Sequence, residues 1–393
     1  MGKEIELSTA ITDIAAGPFG SNLKVECFVP SGFPIIDGAN LKGYKVTDNI
    51  TKFVTEEKAR SLSRSIAHRG DVIVTISGTI GQIAYIPEDS LYDEYLCSQR
   101  QFRVSFDSSM VYVPYLVFYF HTFEGQNKIL SFANQTGVPA LSQPLKNFKK
   151  IRLCLPSLQE QRRIASIVET INDKIENNIK INDNLQQQAA ALFANFYDHA
   201  ETEVGFTEII QILGGGTPKT GESSYWNGNV PFFTPKDVGS PYTLSTEKTI
   251  TEEGLAHCNS RLYPVNTVFV TARGTVGKVG LPGVPMAMNQ SCYALVGKET
   301  HQLLVYFYTL KAVDRLKHKA SGAVFDAITT RDFESEIIMK LSDEDAQGFL
   351  DVAEPIYQAV LSNSIENLRL AALRDSLLPK LMSGEIDVSD IQL

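Results

Sequence analysis

Two stretches of the chain carry hydrophobic residues at alternating steps of four and three, which is the spacing of one face of a long amphipathic helix. In the first stretch these positions are Ile164, Val168, Ile171, Ile175, Asn178, Asn182, Leu185, Ala189, Leu192 and Phe196. The second stretch repeats the pattern 185 residues later, at Phe349, Ala353, Ile356, Val360, Asn363, Asn367, Leu370, Arg374, Leu377 and Leu381. The pattern predicts two helices, each roughly 60 Å long at about 1.5 Å per residue.

Two asparagines interrupt each hydrophobic face at the same step, Asn178 and Asn182 in the first stretch and Asn363 and Asn367 in the second. A polar residue on an apolar face costs stability unless it finds a partner, so it fixes the register of paired helices. We therefore expect the helices to run antiparallel about a pseudo-twofold axis, with the four asparagines meeting near its centre. The alternative is that these asparagines face water.

The segment before each helix reads as a strand-rich domain. The runs "DVIVTI" (71–76) and "NTVFVT" (266–271) are β-branched, and each leads into a related glycine phrase, "SGTIG" (77–81) and "RGTVG" (273–277). Short apolar runs separated by Gly, Pro and Asn predict strands joined by turns. The chain is thus predicted to be an α+β protein: two tandem α/β domains separated by two long antiparallel, coiled-coil-like helices, with a pseudo-twofold internal repeat.

The boundaries follow from these patterns. We expect a first domain at 1–155, a central helix at 156–200, a second domain at 201–340 and a C-terminal helix at 341–393, which pairs with the central helix. Ser157 and Ser342 are candidate helix N-caps, and Gly384 is a candidate helix stop. The second helix has an additional apolar stripe, which either covers its own domain or binds another subunit; it consists of Leu361, Ile365, Leu368 and Ala372.

Composition changes this picture little. A net charge of −9 taken alone disfavours binding to nucleic acid. The acidic groups are concentrated at the C-terminal end, because residues 341–393 hold 3 basic and 10 acidic groups, whereas residues 1–150 hold 15 of each. Global charge therefore does not exclude DNA. The chain has no run of 18 apolar residues and no secretion signal, so we expect a cytoplasmic protein with no membrane segment. Its five cysteines are scattered without a C-x-x-C pair, which argues against disulfides and a zinc site.

Motifs for catalysis are missing. In "GGGTPKTGES" (214–223), Glu222 stands where a phosphate-binding loop needs Lys. The chain contains no Pro-Pro pair, which an amino-methyltransferase motif requires, and its one Glu-x-Lys, at Glu56–Lys58, reads as a solvated helix. Cys97 and Cys292 have no neighbouring His to activate them. We expect no catalytic residue, no metal and no cofactor in this chain.

The loops instead offer side chains that read base edges or contact phosphates. Arg pairs with guanine and Asn or Gln with adenine in the major groove, while Lys, Ser and Thr contact the backbone. The glycine phrases either bring backbone N–H groups close to a phosphate or merely turn a strand. The candidate DNA-contacting residues are Lys24, Asn40, Lys42, Ser77, Thr79, Gln99, Arg100, Gln101 and Arg103 in the first domain, and Thr217, Lys219, Lys236, Arg273, Thr275, Lys278, Asn289, Gln290 and Ser291 in the second.

The chain resembles the specificity (S) subunits of type I restriction–modification systems, the HsdS family. The similarity rests on "LPSLQEQRRIASIVETINDKIE" (155–176), on "LLPKLMSGEIDV" (377–388), and on "GGGTPKT" (214–220) followed by "YWNGNVPFFTPKDV" (225–238). The segment "LSDEDAQGFLDVA" (341–353) departs from the family wording, and the first domain opens with "GPFGSNLK" instead of a G-G-T-P phrase.

The resemblance implies that each domain is a target-recognition domain that reads one half of a bipartite, asymmetric DNA sequence, and that the helices set the unread spacer. It also implies that this chain is itself non-catalytic. Its partners would be double-stranded DNA, two methylation (M) subunits that use S-adenosylmethionine and, where present, restriction (R) subunits that use ATP and Mg. Two alternatives stay open: a two-domain protein-binding scaffold without DNA recognition, and a self-contained nuclease or methyltransferase with unusual motifs.

Overall fold

The computed structural model describes residues 2–134, 137–239, 241–319 and 327–391. The chain divides into two units. Unit 1 comprises Met1–Asp173 and Leu370–Leu393, and unit 2 comprises Lys174–Arg369.

Unit 1 is built around one antiparallel four-stranded sheet and one mixed four-stranded sheet. Its strands pair in the orders β2-β9-β6-β7, β4-β3-β8-β5 and β1-β10. The strands are β1 Lys3–Glu6, β2 Ile11–Ala16, β3 Phe33–Ile36, β4 Phe53–Val54, β5 Ile66–His68, β6 Val72–Thr75, β7 Ile83–Tyr85, β8 Glu94–Cys97, β9 Gln101–Phe106 and β10 Arg152–Leu155. The helices are α1 Glu56–Ser61, α2 Val113–Phe120, α3 Phe123–Leu130, α4 Pro144–Lys149 and the first part of α5 Leu158–His199.

Unit 2 repeats this plan with the orders β12-β19-β16-β17-β14, β15-β13-β18 and β11-β20. The strands are β11 Thr202–Gly205, β12 Ile210–Gly214, β13 Trp226–Phe233, β14 Tyr242–Thr243, β15 Lys248–Ile250, β16 Val268–Thr271, β17 Val279–Pro282, β18 Ala287–Met288, β19 Cys292–Gly297 and β20 Ile337–Lys340. The helices are α6 Phe206–Ile209, α7 Glu252–Ala256, α8 Gln302–Lys319, α9 Thr330–Glu334 and most of α10 Asp343–Ser383.

The strand pairing confirms the predicted internal repeat. The antiparallel set β2-β9-β6-β7 corresponds strand by strand to β12-β19-β16-β17. In both units one parallel pair lies in the second sheet, β3 with β8 and β13 with β18. The strand that opens each unit pairs antiparallel with the strand just before its long helix, β1 with β10 and β11 with β20.

Both long helices begin at their predicted serine caps, and α10 ends at its predicted glycine stop. Ser157 Oγ accepts a hydrogen bond from Glu160 N at 3.3 Å, and Ser342 Oγ accepts one from Asp345 N at 3.1 Å. Gly384 follows α10 with a φ of 76°, a left-handed conformation that favours glycine at a helix end.

The asparagines pair between α5 and α10, as the seam predicts. Asn178 Nδ2 donates to Asn367 Oδ1 at 2.8 Å, and Asn363 Nδ2 donates to Asn182 Oδ1 at 2.8 Å. Because Asn178 and Asn182 are 1% and 6% exposed, the alternative that they face water is excluded. The paired amides satisfy each other, and within unit 2 they hold α5 and α10 antiparallel in one register.

The apolar face of α5 rotates toward its C-terminal end. The periodic pattern places Leu192 and Phe196 on the seam, but both are only partly buried. The buried rings of this part of α5 are Phe193 and Tyr197, which are 1% and 7% exposed. A straight helix drifts by about 20° per heptad relative to a seven-residue repeat. Here the drift turns α5 toward α8, whose Phe307 stacks on Phe193 at 4.9 Å between ring centroids.

The additional stripe on α10 divides between two roles. Leu361 packs against the core of unit 2, so this end of the stripe covers its own domain. Leu368 is 51% exposed, which leaves the other end of the stripe open. No helix in the described part of the chain is both long and apolar enough to cross a membrane.

Candidate nucleic-acid interface

A tight turn between β8 and β9 projects two candidate residues from unit 1. Gln101 N donates to Ser98 O at 3.1 Å, and Ser98 Oγ accepts from Arg100 N at 3.4 Å. These bonds close the turn with Gln99 and Arg100 at its exposed tip. The Arg100 guanidinium has no ion pair or hydrogen bond to any described residue, so it is available to a ligand.

Unit 2 has the same turn between β18 and β19. Asn289 Oδ1 accepts from Ser291 N at 3.0 Å, in the role that Ser98 has in unit 1. Gln290 stands exposed at the tip. The equivalence follows from strand register, because Cys97 pairs with Ile36 in unit 1 as Met288 pairs with Phe233 in unit 2. Gln99 and Gln290 therefore occupy the same position, which is followed by Arg100 in one unit and Ser291 in the other. We refer to these two turns as the reading turns.

A glycine lies beneath each reading turn. A Cβ atom on Gly17 would lie 1.8 Å from Ser98 O, and one on Gly215 would lie 2.1 Å from Asn289 O. Any side chain at these positions would push the turn away, because atoms cannot approach so closely. The glycines thus let the end of β2 or β12 support the turn directly.

The glycine phrases turn strands. Gly78 and Gly81 join β6 to β7 with φ values of 90° and 91°, and Gly274 and Gly277 join β16 to β17 with 84° and 74°. Two of their backbone amides are used within the protein, since Gly78 N donates to Pro139 O and Gly277 N to Thr271 O, both at 2.9 Å. The phrases therefore turn the strands, and contact with a phosphate stays a prediction.

In unit 1 several candidates meet around one recess of about 500 Å³. Its polar lining includes Ser77, Thr79, Gln99, Arg100 and Gln101, together with Lys52 and Asp37. The residues on either side of Lys24 also line it, and Lys24 itself is exposed. Lys42 is exposed too, but it does not line the recess.

The candidates of unit 2 are less concentrated. The Thr217 hydroxyl donates to Gln290 Oε1, which joins two of them directly. Thr275 Oγ1 donates to Pro235 O at 3.1 Å, next to Lys236, whose Nζ lies 3.9 Å from a Glu247 carboxylate oxygen. Lys219, Arg273 and Lys278 are exposed as well. Arg273 adjoins the turn through its backbone, since Arg273 N donates to Ser291 O at 3.3 Å.

The structure corrects the interpretation of Gln101 and Arg103. Both belong to β9 and point into the unit, where Gln101 is 1% exposed and accepts a hydrogen bond from the Ser98 hydroxyl. Arg103 donates to Asp13 at 2.6 Å and to Arg64 O at 3.0 Å. The guanidinium of Arg103 holds the pKa of Asp13 below its ordinary value. These two side chains stabilise the framework and are not free to contact DNA.

Asn40 needs the same correction. Its Nδ2 donates to Thr47 O and Asn49 O, both at 3.2 Å, while its Oδ1 accepts from Asp37 N at 3.0 Å. The side chain is buried, and its donors and acceptor form hydrogen bonds within a local loop. It is therefore a loop-organising residue.

The chemistry of the buried cysteines fits no nucleophile. Burial raises the pKa of both the Cys97 and Cys292 thiols to about 12, which keeps them protonated. Within the described ranges, no three His, Cys, Asp or Glu side chains are grouped so that they could hold a metal ion.

Two apolar side chains beside the unit 1 turn were not among the predicted residues. Phe19 and Val25 are 83% and 81% exposed, and Val25 lines the same recess as Arg100. A phenylalanine between Pro18 and Gly20 in a glycine-rich loop is a signal that could have marked this position. Lys52 was not among them either; its Nζ lies 2.7 Å from a carboxylate oxygen of Asp37, also at the recess.

Three known proteins that resemble this chain are specificity subunits of type I restriction–modification systems. The chain is 21% identical to the type I restriction enzyme MjaIX specificity subunit of Methanocaldococcus jannaschii, over 97% of this chain and 93% of that protein. It is 22% identical to the HindI specificity subunit of Haemophilus influenzae, over 78% of this chain and 84% of that protein. The crystal structure of the S subunit of a type I restriction–modification system from M. genitalium has the same fold, with a TM-score of 0.59, 13% identity and coverage of 96% and 95%.

The family model for the type I restriction modification DNA specificity domain matches residues 29–187 and again residues 202–345. Each match takes in one reading turn and one strand–glycine phrase. The two matches together span about three quarters of the chain. This protein therefore belongs to the type I restriction modification DNA specificity family and contains two copies of its domain.

Proposed function

We propose that this protein is the DNA specificity subunit of a type I restriction–modification system, and that it reads a bipartite, asymmetric target with one half-site for each unit. One observation carries the proposal. Two units of the same fold present equivalent turns whose tips differ in chemistry. Gln99 and Arg100 are both exposed in unit 1, whereas in unit 2 the exposed Gln290 is followed by the half-buried Ser291. A repeated framework with different exposed side chains suits two different base sequences.

The tip side chains match the requirements of major-groove reading. Arg100 is exposed and unpaired within the described residues, and a guanidinium donates two parallel hydrogen bonds to guanine O6 and N7. A Gln carboxamide pairs with adenine in the same manner. The exposed lysines and threonines of both units, Lys24, Thr79, Lys219, Lys236 and Lys278 among them, would contact the phosphate backbone.

In this proposal the chain performs no chemistry itself. Two methylation subunits would assemble with it and carry the S-adenosylmethionine, and restriction subunits, where present, would use ATP and Mg. The exposed end of the α10 stripe at Leu368 suits protein docking, because apolar surface left in water favours burial against a partner. The gap between the half-sites would be set by α5 and α10, each of which continues from one unit into the other.

The test is a map of methylated adenines in cells that make this chain together with its methylation subunit, compared with cells that lack the chain. We expect a new two-part motif with a fixed gap. A motif without a gap would contradict the two-reader arrangement. If the purified complex is intact and still leaves no sequence-specific mark, the DNA-specificity function is wrong and the scaffold alternative gains support.

Replacement of the unpaired guanidinium should affect one half-site only. We expect Arg100→Ala to relax the base preference at one position of the half-site read by unit 1 by about fivefold or more, because one bidentate base contact is worth about 1–3 kcal/mol. The half-site read by unit 2 should be unchanged. Selection of binding sites from a randomised DNA library by the assembled complex measures both preferences at once. Loss of both half-sites together would contradict the model.

A further inference from the structure

The loop after β12 is fastened to the reading turn of unit 2. Gly216 N donates to Met288 O at 3.1 Å, which holds the loop against the strand that leads into the turn. Trp226 Nε1 donates to Lys219 O at 3.2 Å and secures the other side of the loop. Because Gly215 also lies in direct backbone contact with Asn289, Thr217 is held at a fixed place beside the turn.

The hydrogen bond between Thr217 and Gln290 leaves the Gln290 carboxamide with an acceptor site and a donor group that a base can use. Thr217 Oγ1 donates to Gln290 Oε1, and a carboxamide oxygen has a second lone pair for another donor. The Gln290 Nε2 group donates to no described residue. The carboxamide therefore presents one acceptor site and one donor group side by side, with its rotation restrained by the threonine.

We propose that Thr217 is a positioning residue that orients the Gln290 carboxamide for recognition of adenine at one base pair of the half-site read by unit 2. Adenine offers the complementary pair in the major groove, with N6–H as donor to Oε1 and N7 as acceptor from Nε2. Restraining the amide before binding lowers the entropy lost on contact, since fewer rotamers are frozen at the interface. This inference rests on the proposed function and names the base that the second turn reads.

Unit 1 lacks this arrangement. Ala16 pairs with Phe102 in unit 1 as Gly214 pairs with Tyr293 in unit 2, and counting forward from these pairs places Phe19 where unit 2 has Thr217. Phenylalanine has no hydroxyl group, so Gln99 receives no corresponding bond from this position. The restraint is specific to unit 2, and in unit 1 the free guanidinium of Arg100 is the better reader.

The test compares Thr217→Val, which removes the hydroxyl, with Thr217→Ser, which keeps it. The assembled complex selects binding sites from a library in which every base pair of both half-sites varies. We expect the unaltered complex to prefer adenine at one position of one half-site. Thr217→Val should lower that single preference by about fivefold or more, and Thr217→Ser should retain it, because each good bidentate contact contributes about 1–3 kcal/mol of discrimination.

A second variant tests the partner directly. Gln290→Glu replaces the donor–acceptor pair with acceptors alone, so the preference at the same position should move toward cytosine, whose N4 amino group donates. Thermal unfolding of each variant checks that the fold is intact.

The outcomes separate this inference from the proposed function. If Thr217→Val weakens binding equally for all sequences, Thr217 contacts the backbone or supports the fold, and the positioning role is wrong. An unchanged preference after both Thr217→Val and Gln290→Glu has the same consequence. If instead the unaltered complex selects no two-part sequence, the proposed function itself fails.

Discussion

Replacement of Phe193 by alanine is expected to lower the free energy of unfolding of unit 2 by about 3–5 kcal/mol, the range for removing a large aromatic side chain from a packed core. Phe193 is 1% exposed. Its ring stacks on Phe307 with 4.9 Å between centroids, and meets Phe349 edge-on at 5.3 Å and Tyr308 edge-on at 5.6 Å. These rings come from α5, α8 and α10, so one deletion opens a cavity where all three helices meet.

Phe196 provides the matched control, since it lies on the same helix and is only partly buried. We expect Phe196→Ala to cost about half as much or less, because less apolar area is returned to water. Thermal or denaturant unfolding of the full chain measures both variants. The heptad pattern alone predicts the reverse order, so a larger loss for Phe196→Ala would favour the pattern over the structure.

The long helices could be predicted because their signals are local and repeated. Alternating steps of four and three, serine caps and paired asparagines all lie within the segments that they describe, and a second copy repeats each signal. The position of Phe193 could not be predicted in this way. Its burial depends on α8, which lies more than a hundred residues further along the chain. A helix packed on a third element widens its apolar face beyond the seam.

Within the candidate site, one short segment likewise combines features that the sequence predicts with features that it does not. The sequence "SQRQFR" (98–103) offered Gln99, Arg100, Gln101 and Arg103 as equal candidates. In the structure a turn places the first two outside, and the inward-facing positions of β9 bury the other two. Alternation along a strand predicts that Gln101 and Arg103 share a face. It does not predict that both faces of β9 are covered here, where Phe102 and Val104 on the opposite face are fully buried as well. The buried Arg103 finds its partner in Asp13, ninety residues away along the chain.

Gly215→Ala is expected to weaken sequence discrimination by unit 2 strongly while leaving discrimination by unit 1 intact. A methyl group on Gly215 would lie 2.1 Å from Asn289 O and 2.6 Å from Met288 O, so the loop and the reading turn must move apart. Displacement of the turn carries Gln290 away from its bond to Thr217 and from the groove. We expect the preference for the second half-site to fall by about tenfold or more, the loss of at least one bidentate base contact.

The adjacent glycine, Gly214, provides the matched control for Gly215→Ala. Gly214 is the last residue of β12, and a methyl group there would meet nothing within 4 Å, so Gly214→Ala adds the same methyl group next to Gly215 without the collision. It should leave both half-sites readable. Gly17→Ala, whose methyl group would meet Ser98 O, should impair the first half-site and leave the second. Binding of the assembled complex to DNA with either half-site scrambled measures the three variants together. Equal losses for Gly214→Ala and Gly215→Ala would show that the close contact does not support the turn. Loss of recognition of both half-sites from either Gly17→Ala or Gly215→Ala would contradict independent reading by two units.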